Sequence, residues 1–516
     1  MGFIMGIIKV ILKLLHKVFV FCGFYPLIIV VMLAVCVNES SPLQLGLWYI
    51  GFGLGVVFAL FTTIQSLIRF KNPGFSWIEL IKNRITGKTE GYAANIDGVG
   101  PDDIHGMVFG RNKKNYICKD EMEDGHALVI GGAGSGKTST IAIDTLMTWR
   151  ARVFAVDLKP ELHDACKKAR GEENILVFDP TDPGSCGYDP LYLLKNSDNP
   201  VQAAASIAAI LCPITPDVKD PYWLENAQCI LTAALLQYSD MSFYEIIKKV
   251  RLTPPEELIK EIMNGNNDLA KMHVSDLSGA DSKALSSFSS TLKGKITIFA
   301  SDTQLISCLD GSRARILTPQ DLQNYDIFVK IPEHNLKIWQ PLLTLIVNQF
   351  LESFEMRRND INQEPVLFML DEFPRLGKLP AIQDGLATLR SKKVEIMLFV
   401  QSKSQIDMIY GADVCKAIVD NCTWKAVLRA TEPETQRWLS DMVGTADRAK
   451  KSHNYNQSDI GIHTGSGASV TTEEKRIIKP EEFAYLGDEL ILLSPYGYSR
   501  LQKVPYYSDP AFERYR

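Results

Sequence analysis

The residue types with the clearest chemical meaning form a glycine-rich loop between an apolar run, 127–130, and a stretch of helical pattern. The loop is Gly131, Gly132, Ala133, Gly134, Ser135, Gly136, Lys137 and Thr138, and Ser139 follows it. The spacing G-x-x-x-x-G-K-[ST] between a strand and a helix is that of the phosphate-binding P-loop. Glycines let consecutive backbone N–H groups point at a phosphate, and the helix N-terminus adds partial positive charge. We predict that 131–139 bind ATP.

Two side chains of this loop have specific roles in that prediction. Lys137 reaches the β- and γ-phosphates, and the Thr138 hydroxyl holds Mg²⁺. The alternative is a glycine-rich turn that matches the motif by chance, and the strand–helix context of the loop argues against it.

A second apolar run, 366–370, ends in Asp371 and Glu372. Beside a P-loop, this pattern is typical of the Walker B strand. Asp371 is predicted to hold Mg²⁺, usually through water. Glu372 is predicted to be the catalytic carboxylate that orients and deprotonates the attacking water.

Three further polar residues close or precede strand-like runs. Gln401 ends the run 394–400 and is interpreted as a γ-phosphate sensor, with an ordinary turn residue as the alternative. Arg390 is either a trans-acting arginine finger or DNA contact, or a solvated helix end. Arg429, after 426–428, is a second finger candidate of lower rank.

Short apolar runs alternate with helical stretches from 127 to about 190 and again at 325–331, 366–370 and 394–400. This alternation predicts an α/β fold with a parallel sheet. Asp157 and Asp179 end two of these runs, and we interpret both as turn residues rather than ligands.

Residues from about 195 to 316 change in character and show helical patterns, so we predict an all-α module inserted into the α/β domain. The predicted domains are a membrane anchor (1–71), a linker with the first part of the nucleotide-binding domain (72–194), the all-α insertion (195–316) and the second part (317–516). Residues 444–475, rich in Gly, Ser, Asn and Thr, are predicted to be a mobile loop.

Composition excludes several other classes. The chain has 516 residues and a net charge of −5, so nucleic-acid binding would need a local basic surface. Its 10 cysteines include no C-x-x-C pair and its 8 histidines no H-E-x-x-H, which argues against zinc sites and a disulfide framework.

Two long apolar runs near the N-terminus, about 18–37 and 44–68, predict a transmembrane helical hairpin. Lysines precede the first run and basic residues follow the second. By the positive-inside rule, the protein is then a multi-pass cytoplasmic (inner) membrane protein with both termini cytosolic. The alternatives are a cleaved signal peptide with one anchor, or a buried core hairpin.

Together these motifs resemble those of the type IV secretion coupling proteins, the membrane ATPases of conjugation and effector export. The resemblance covers nearly the full length. Besides the N-terminal hairpin and the P-loop, it rests on 156–162 (VDLKPEL), 220–223 (DPYW), 370–377 (LDEFPRLG), 400–402 (VQS), 428–435 (LRATEPET) and 503–507 (KVPYY). The chain departs from the family at Pro160, where glycine is common, and in its short C-terminal tail.

The resemblance implies a RecA-like P-loop NTPase core with an inserted all-α domain, ATP and Mg²⁺ as cofactors, and hexameric rings with nucleotide at subunit interfaces. It also implies a function: driving single-stranded DNA with its relaxase, or protein effectors, to the channel formed by the other secretion components. The runner-up is an effector-docking receptor whose nucleotide serves assembly. A duplex-DNA translocase of cell division and a transporter ATPase fit less well, because the chain lacks a recognisable C-terminal winged helix and a transporter signature loop.

Overall fold

The computed structural model describes residues 96–516 except 215–217, 219, 358–362 and 458–462. The chain divides into two compact units. The larger unit comprises 98–436, 481–492 and 500–516, and the smaller contains 437–480 and 493–499 among the described residues.

The strands occur along the whole described chain. They are β1 (Met107–Asn112), β2 (Asn115–Lys119), β3 (Ala127–Gly131), β4 (Arg152–Asp157), β5 (Ile175–Phe178), β6 (Gly187–Tyr188), β7 (Ile316–Leu317), β8 (Asp326–Lys330), β9 (Val366–Leu370), β10 (Val394–Val400), β11 (Trp424–Arg429), β12 (Thr445–Gln457), β13 (His463–Arg476), β14 (Glu489–Ser494) and β15 (Gly497–Gln502).

Eleven of the described strands form one sheet in the order β2-β1-β15-β14-β11-β3-β10-β9-β4-β8-β5. The pairs from β11 to β5 are parallel, whereas β1 pairs antiparallel with β2 and β15. Every residue of β3, β9 and β10 is buried. Central parallel strands are covered on both faces, which explains why their sequences are apolar without alternation. The predicted α/β class is confirmed.

The helices connect and cover these strands. They are α1 (Ile143–Thr148), α2 (Glu161–Arg170), α3 (Tyr192–Asn196), α4 (Pro200–Leu211), α5 (Tyr222–Gln237), α6 (Phe243–Leu252), α7 (Pro255–Met263), α8 (Asp268–Val274), α9 (Ser282–Ser301), α10 (Thr303–Leu309), α11 (Leu336–Glu355), α12 (Pro380–Ser391), α13 (Lys403–Tyr410), α14 (Ala412–Asn421) and α15 (Pro433–Val443). A wider helical turn, Thr138–Ala142, precedes α1.

The helices α3 to α10 all lie in sequence between β6 and β7, which pair with each other in parallel. The chain therefore enters this helical region after β6 and returns from it at β7, and the two strands form a short parallel ladder at its base. The long helix α11 then packs on the main sheet, where the Phe350 ring lies 4.7 Å from that of Phe154 on β4. The domain boundaries predicted from the sequence stay predictions.

A buried ion pair fixes the outer parallel strands. The carboxylate of Asp326, 1% exposed at the start of β8, accepts two hydrogen bonds from the Arg170 guanidinium at 2.6 and 3.0 Å. It also accepts the Val153 N–H of β4 at 3.0 Å. Arg170 donates further to carbonyls of Leu146 and Trp149 at the end of α1. One charge pair thus joins α1, α2, β4 and β8.

The segment predicted to be a mobile loop forms a hairpin instead. Strands β12 and β13 pair antiparallel from Thr445 with Arg476 to Gln457 with His463, with a register shift between Tyr455 and Gln457. The prediction was wrong because it used side-chain polarity. A two-stranded ladder is held by backbone hydrogen bonds, and β13 also carries β-favouring Val470, Thr471 and Thr472.

The predicted location in the membrane requires a correction. No helix among the described residues is both long and apolar enough to cross a bilayer. The two 20-residue helices, α9 and α11, carry charged side chains such as Lys293 and Glu352, whereas a span needs about 20 mostly apolar residues. This finding contradicts the multi-pass inner-membrane prediction. The predicted spans, 18–37 and 44–68, lie outside the described residues.

Replacing Asp326 by Asn should destabilise the larger unit strongly. The amide cannot balance the buried guanidinium of Arg170, and breaking a buried pair costs about 3 kcal/mol or more. Urea unfolding of the full chain should show this loss. The matched control is Asp268→Asn, which removes an exposed ion pair with Lys271 and should leave the midpoint unchanged. Equal midpoints for the two variants would contradict the role of Asp326.

Candidate phosphate-binding site

Three adjacent strands end at one edge of the sheet with the residues that the sequence singled out. Strand β10 lies between β3 and β9, and its parallel register pairs Val400 with Ile130 and Leu398 with Leu370. The P-loop follows β3, Gln401 follows β10, and Asp371 and Glu372 follow β9. The register therefore brings these groups together, as expected for carboxyl ends of parallel strands.

The glycine loop has the curled backbone that phosphate binding requires. Gly134 and Gly136 have φ of 68° and 92°, values that side-chain-bearing residues rarely adopt. The Gly132 N–H donates to the Arg429 carbonyl at 2.9 Å, which ties the start of the loop to β11. The Ser135 hydroxyl is buried in the loop without a hydrogen-bond partner in the protein. Such an orphaned polar atom is accounted for by a phosphate oxygen as acceptor.

Lys137 is held inside the loop and is only 7% exposed. Its ammonium donates to the Gly131 carbonyl. Burial lowers the pKa of Lys137, the carboxylates of Glu372 and Asp371 oppose that shift, and the Lys159 ammonium adds to it. The lysine is thus a buried ammonium that donates to one loop carbonyl, and its other two donors are available for phosphate oxygens.

The carboxylates after β9 are both buried. Burial and the neighbouring Glu372 raise the pKa of Asp371 to about 6, and the Lys137 ammonium opposes the rise. Asp371 accepts the Glu372 N–H at 3.1 Å. Glu372 has a φ of 49°, in the left-handed region that non-glycine residues avoid. Such strain persists where the surroundings enforce it and is common at functional sites. Nothing in the local residue pattern predicts this left-handed conformation.

Gln401 touches the second of these carboxylates. Its Nε2 donates to Glu372 Oε2 at 3.1 Å, and its backbone N–H donates to Gln405 Oε1 at 3.1 Å. This side-chain hydrogen bond orients the Glu372 carboxylate, which goes beyond the role of a turn residue. The role of phosphate sensor stays a proposal.

Sequence reasoning missed a network that fixes the loop after Gln401. The Lys403 N–H donates to Thr435 Oγ1 at 3.1 Å, and the Ser404 hydroxyl donates to Glu432 Oε1 at 2.6 Å. These bonds join the ends of β10 and β11, which flank β3. The motif TEPET at 431–435 was noticed only as part of a resemblance, because nothing local to it indicates which loop it contacts.

The two candidate arginine fingers lie at opposite ends of the central strands: Arg390 before the start of β10, and Arg429 at the end of β11. Arg390 lies in the last turn of α12, just before β10 begins, and the parallel pairing of β10 with β3 puts it at the opposite end of these strands from the phosphate loop. There it is close to His126, whose pKa is lowered to about 4 by burial, with Arg390 contributing. Arg429 ends β11 beside the loop, where its carbonyl accepts the Gly132 N–H. The structure therefore brings Arg429, not Arg390, to this site.

The strand-end aspartates serve turns, as interpreted from the sequence. Asp157 accepts backbone N–H groups of Glu161 and His163 at 3.2 and 2.9 Å, which starts α2. Asp179 accepts the N–H of Thr181 at 2.9 Å. Just past Asp157, the exposed Lys159 lies near enough to Asp371 to favour its ionised form. Sequence reasoning did not identify Lys159 as a neighbour of Asp371, because that proximity depends on the pairing of β4 with β9.

The residues present suit Mg²⁺ bound together with phosphates. Mg²⁺ prefers oxygen ligands, keeps several waters and uses one or two carboxylates plus substrate phosphates. Thr138 is the first residue of the helical turn after the loop, and its hydroxyl is one oxygen donor. The Asp371 carboxylate is a second, and it lies close enough to Lys137 to interact with its ammonium. No cluster of three or more His, Cys, Asp or Glu side chains among the described residues could hold a metal alone. The donor set therefore fits a nucleotide-bound Mg²⁺ rather than a free-standing metal centre.

Comparison with known proteins identifies the family to which the chain belongs. The model of the family described as "Type IV secretory system Conjugative DNA transfer" matches residues 75–515. The protein VirD4 of Agrobacterium fabrum is 25% identical over 439 residues, covering 80% of this chain and 63% of VirD4. The conjugal transfer protein TraG of Escherichia coli is 22% identical over 475 residues, covering 81% of this chain and 73% of TraG. The chain thus spans just under two thirds of the Agrobacterium relative.

Solved structures share the fold. The plasmid coupling protein TrwB in complex with a non-hydrolysable ATP analogue is similar with a TM-score of 0.58 and 17% identity, covering 75% of this chain and 87% of TrwB. TrwB in complex with ADP and Mg²⁺ is similar with a TM-score of 0.55, also at 17% identity. At this identity the likeness shows the fold alone.

Placing a methyl group on Gly136 should weaken nucleotide binding. At a φ of 92°, alanine costs about 1–3 kcal/mol, and the loop can relieve that strain only by turning its N–H groups. We expect Gly136→Ala to lower MgATP affinity about tenfold or more, measured by calorimetry on the full chain. The control, Gly294→Ala, adds a methyl group in open space within α9 and should bind MgATP normally. Equal affinities would contradict the loop conformation.

Proposed function

The chain belongs to the type IV secretory system conjugative DNA transfer family, and from that premise we propose that it is the coupling ATPase of such a system. ATP hydrolysis would drive single-stranded DNA with its bound relaxase, or protein effectors, to the secretion channel. The observation that carries the proposal is the meeting of the P-loop, Asp371 and the Glu372–Gln401 pair at one sheet edge.

In this proposal the described residues divide the work of hydrolysis. Residues 131–139 bind the triphosphate, with Lys137 on the β- and γ-phosphates. Thr138 and Asp371 are ligands for Mg²⁺, which when bound would neutralise charge on the transferred phosphoryl group. Glu372 takes the proton of the attacking water, and its hydrogen bond with Gln401 sets the direction of the carboxylate. Burial of Asp371, Glu372 and Lys137 strengthens each of these interactions.

We also propose a RecA-like core with an all-α insertion, assembled with further copies into a hexameric ring. Helices α3 to α10 between β6 and β7 support the insertion. If Arg390 is a finger in this ring, its exposed position at the far end of β10 from its own phosphate loop means that it would act on a neighbour's nucleotide. Arg429 would then act within its own subunit. The other secretion components are proposed as partners of this ring.

The proposed cargo is DNA, with protein effectors as the alternative. A net charge of −5 means that DNA would have to bind a local surface, for example loops lining the ring's channel. DNA is preferred because the family is described by conjugative DNA transfer. A docking receptor for effector proteins, with nucleotide used for assembly, predicts different behaviour with DNA.

Replacing Glu372 by Gln should stop hydrolysis without weakening binding. The amide keeps the size of the side chain but cannot accept a proton, so the turnover rate should fall by about 10²–10⁴-fold. Gln401→Ala should lower the rate less, because Glu372 keeps its carboxylate and loses one hydrogen bond. Turnover and MgATP affinity of the full chain should be measured together. Gln304→Ala, an exposed glutamine in the helical region, is the control. Unchanged turnover in Glu372→Gln would rule out this site assignment.

Single-stranded DNA should stimulate hydrolysis severalfold. The comparison is ATP turnover of the full chain with single-stranded DNA, with duplex DNA and without DNA, repeated in Glu372→Gln. Stimulation should weaken as salt is raised, since phosphate contacts release counterions. A rate that does not respond to either DNA would favour the docking receptor. Stimulation by duplex DNA alone would favour a translocase of double-stranded DNA.

A further inference from the structure

A cavity of about 530 Å³ opens beside the P-loop within the larger unit. One wall is the loop and the turn after it, including Ser135, Ser139 and Thr140. The opposite wall comes from the C-terminal part of the chain, including Asp488, Lys503 and Tyr507. Pockets of 300–1,000 Å³ are typical of small-molecule sites. The cavity is therefore large enough for more than the phosphates.

The C-terminal wall is fixed to the P-loop helix by its backbone. The Tyr506 N–H donates to the Ser139 carbonyl at 3.1 Å, one residue past the proposed Mg²⁺ ligand Thr138. The Arg516 guanidinium donates to carbonyls of Tyr506 and Asp509 at 2.7 and 2.9 Å. These bonds hold the segment that carries Tyr507. The C-terminal segment is thus held against the P-loop helix by specific hydrogen bonds and forms a fixed wall of the cavity.

Tyr507 presents an aromatic surface in this wall. Its side chain is 60% exposed, and its ring meets that of Tyr506 edge to face, with centroids 5.6 Å apart and planes at 80°. An edge-to-face contact orients the ring and leaves the rest of its surface for another planar group. Polar groups of Asp488, Gln502 and Lys503 also line the cavity. A flat apolar surface with a few polar groups suits a nucleoside.

We propose that the cavity between the P-loop turn and the C-terminal segment 502–507 takes the ribose and base of the nucleoside triphosphate, with the base stacked on Tyr507. The inference rests on the proposed function, because it concerns the same nucleotide. Ser139 and Thr140 line this cavity together with the loop residues Ser135 and Gly136, so the cavity is continuous with the phosphate loop. Stacking is tolerant of base identity, since every base has a π-face. Tyr507 therefore contributes affinity for the base as such and does not select between ATP and GTP.

The test compares ligands with and without a base on the full chain. Tyr507→Ala should weaken MgATP and MgGTP binding by roughly tenfold, because base–aromatic stacking is worth that much or more. It should leave the affinity for magnesium tripolyphosphate unchanged. Tyr507→Phe should bind all three ligands like the wild type. Tyr485→Ala, another highly exposed tyrosine of the same unit, is the matched control and should behave normally.

Two results with Tyr507→Ala would overturn the inference. One is an unchanged MgATP affinity in Tyr507→Ala, and the other is an equal loss for tripolyphosphate, which would show a structural role. Failure of the proposed function is distinct, since the wild type would then bind neither MgATP nor tripolyphosphate, or Lys137→Ala would bind both normally. If the wild type binds both ligands equally and Lys137→Ala binds neither, the phosphate site stands and the nucleoside pocket is wrong.

Discussion

The hydrogen bonding of β10 between β3 and β9 is the constraint on which the candidate site depends. All seven residues of β10 are buried, with 397–400 in register with β3 and 394–398 in register with β9, so a slip of the strand would repack every one of these side chains. That register places Gln401 between the phosphate loop and Glu372. A slip by one residue would separate the Gln401 amide from the Glu372 carboxylate. The geometry of the site is therefore a consequence of packing several residues away from it.

The same packing explains how charged groups can be buried at the edge of the sheet. Lys137 and the two carboxylates Asp371 and Glu372 partly compensate one another. The start of β10 carries a second pair, in which burial raises the pKa of Glu395 and the Lys119 ammonium, 3.2 Å away, opposes the rise. Removing one member of such a pair leaves an uncompensated charge. Buried, mutually compensating charges therefore lie at both ends of β10: Lys137 with the carboxylates at one end, and Lys119 with Glu395 at the other.

The sequence predicts those parts of the site that are local in the chain. The P-loop, the Asp-Glu pair and Gln401 each follow an apolar run, and strand ends of a parallel sheet meet, so their proximity could be expected. The left-handed φ of Glu372 could not, because it depends on how β9 joins the turn that follows it. The contacts of Thr435 and Glu432 depend on which strands are neighbours. The hairpin of β12 and β13 was missed because backbone pairing leaves little trace in polar sequences.

The C-terminal segment shows most clearly why local reasoning stops short. Asp144, fully buried on α1, has a pKa raised by burial and by the nearby Asp509 carboxylate of that segment. Asp509 in turn accepts hydrogen bonds from Tyr116 and Arg111 at 2.6 and 3.1 Å. The helix that starts at the P-loop, the strands β1 and β2 and the end of the chain therefore form one packed layer. A phosphate loop can be recognised from nine consecutive residues, but the wall that completes its cavity exists only once the last residues of the chain have folded back onto the helix.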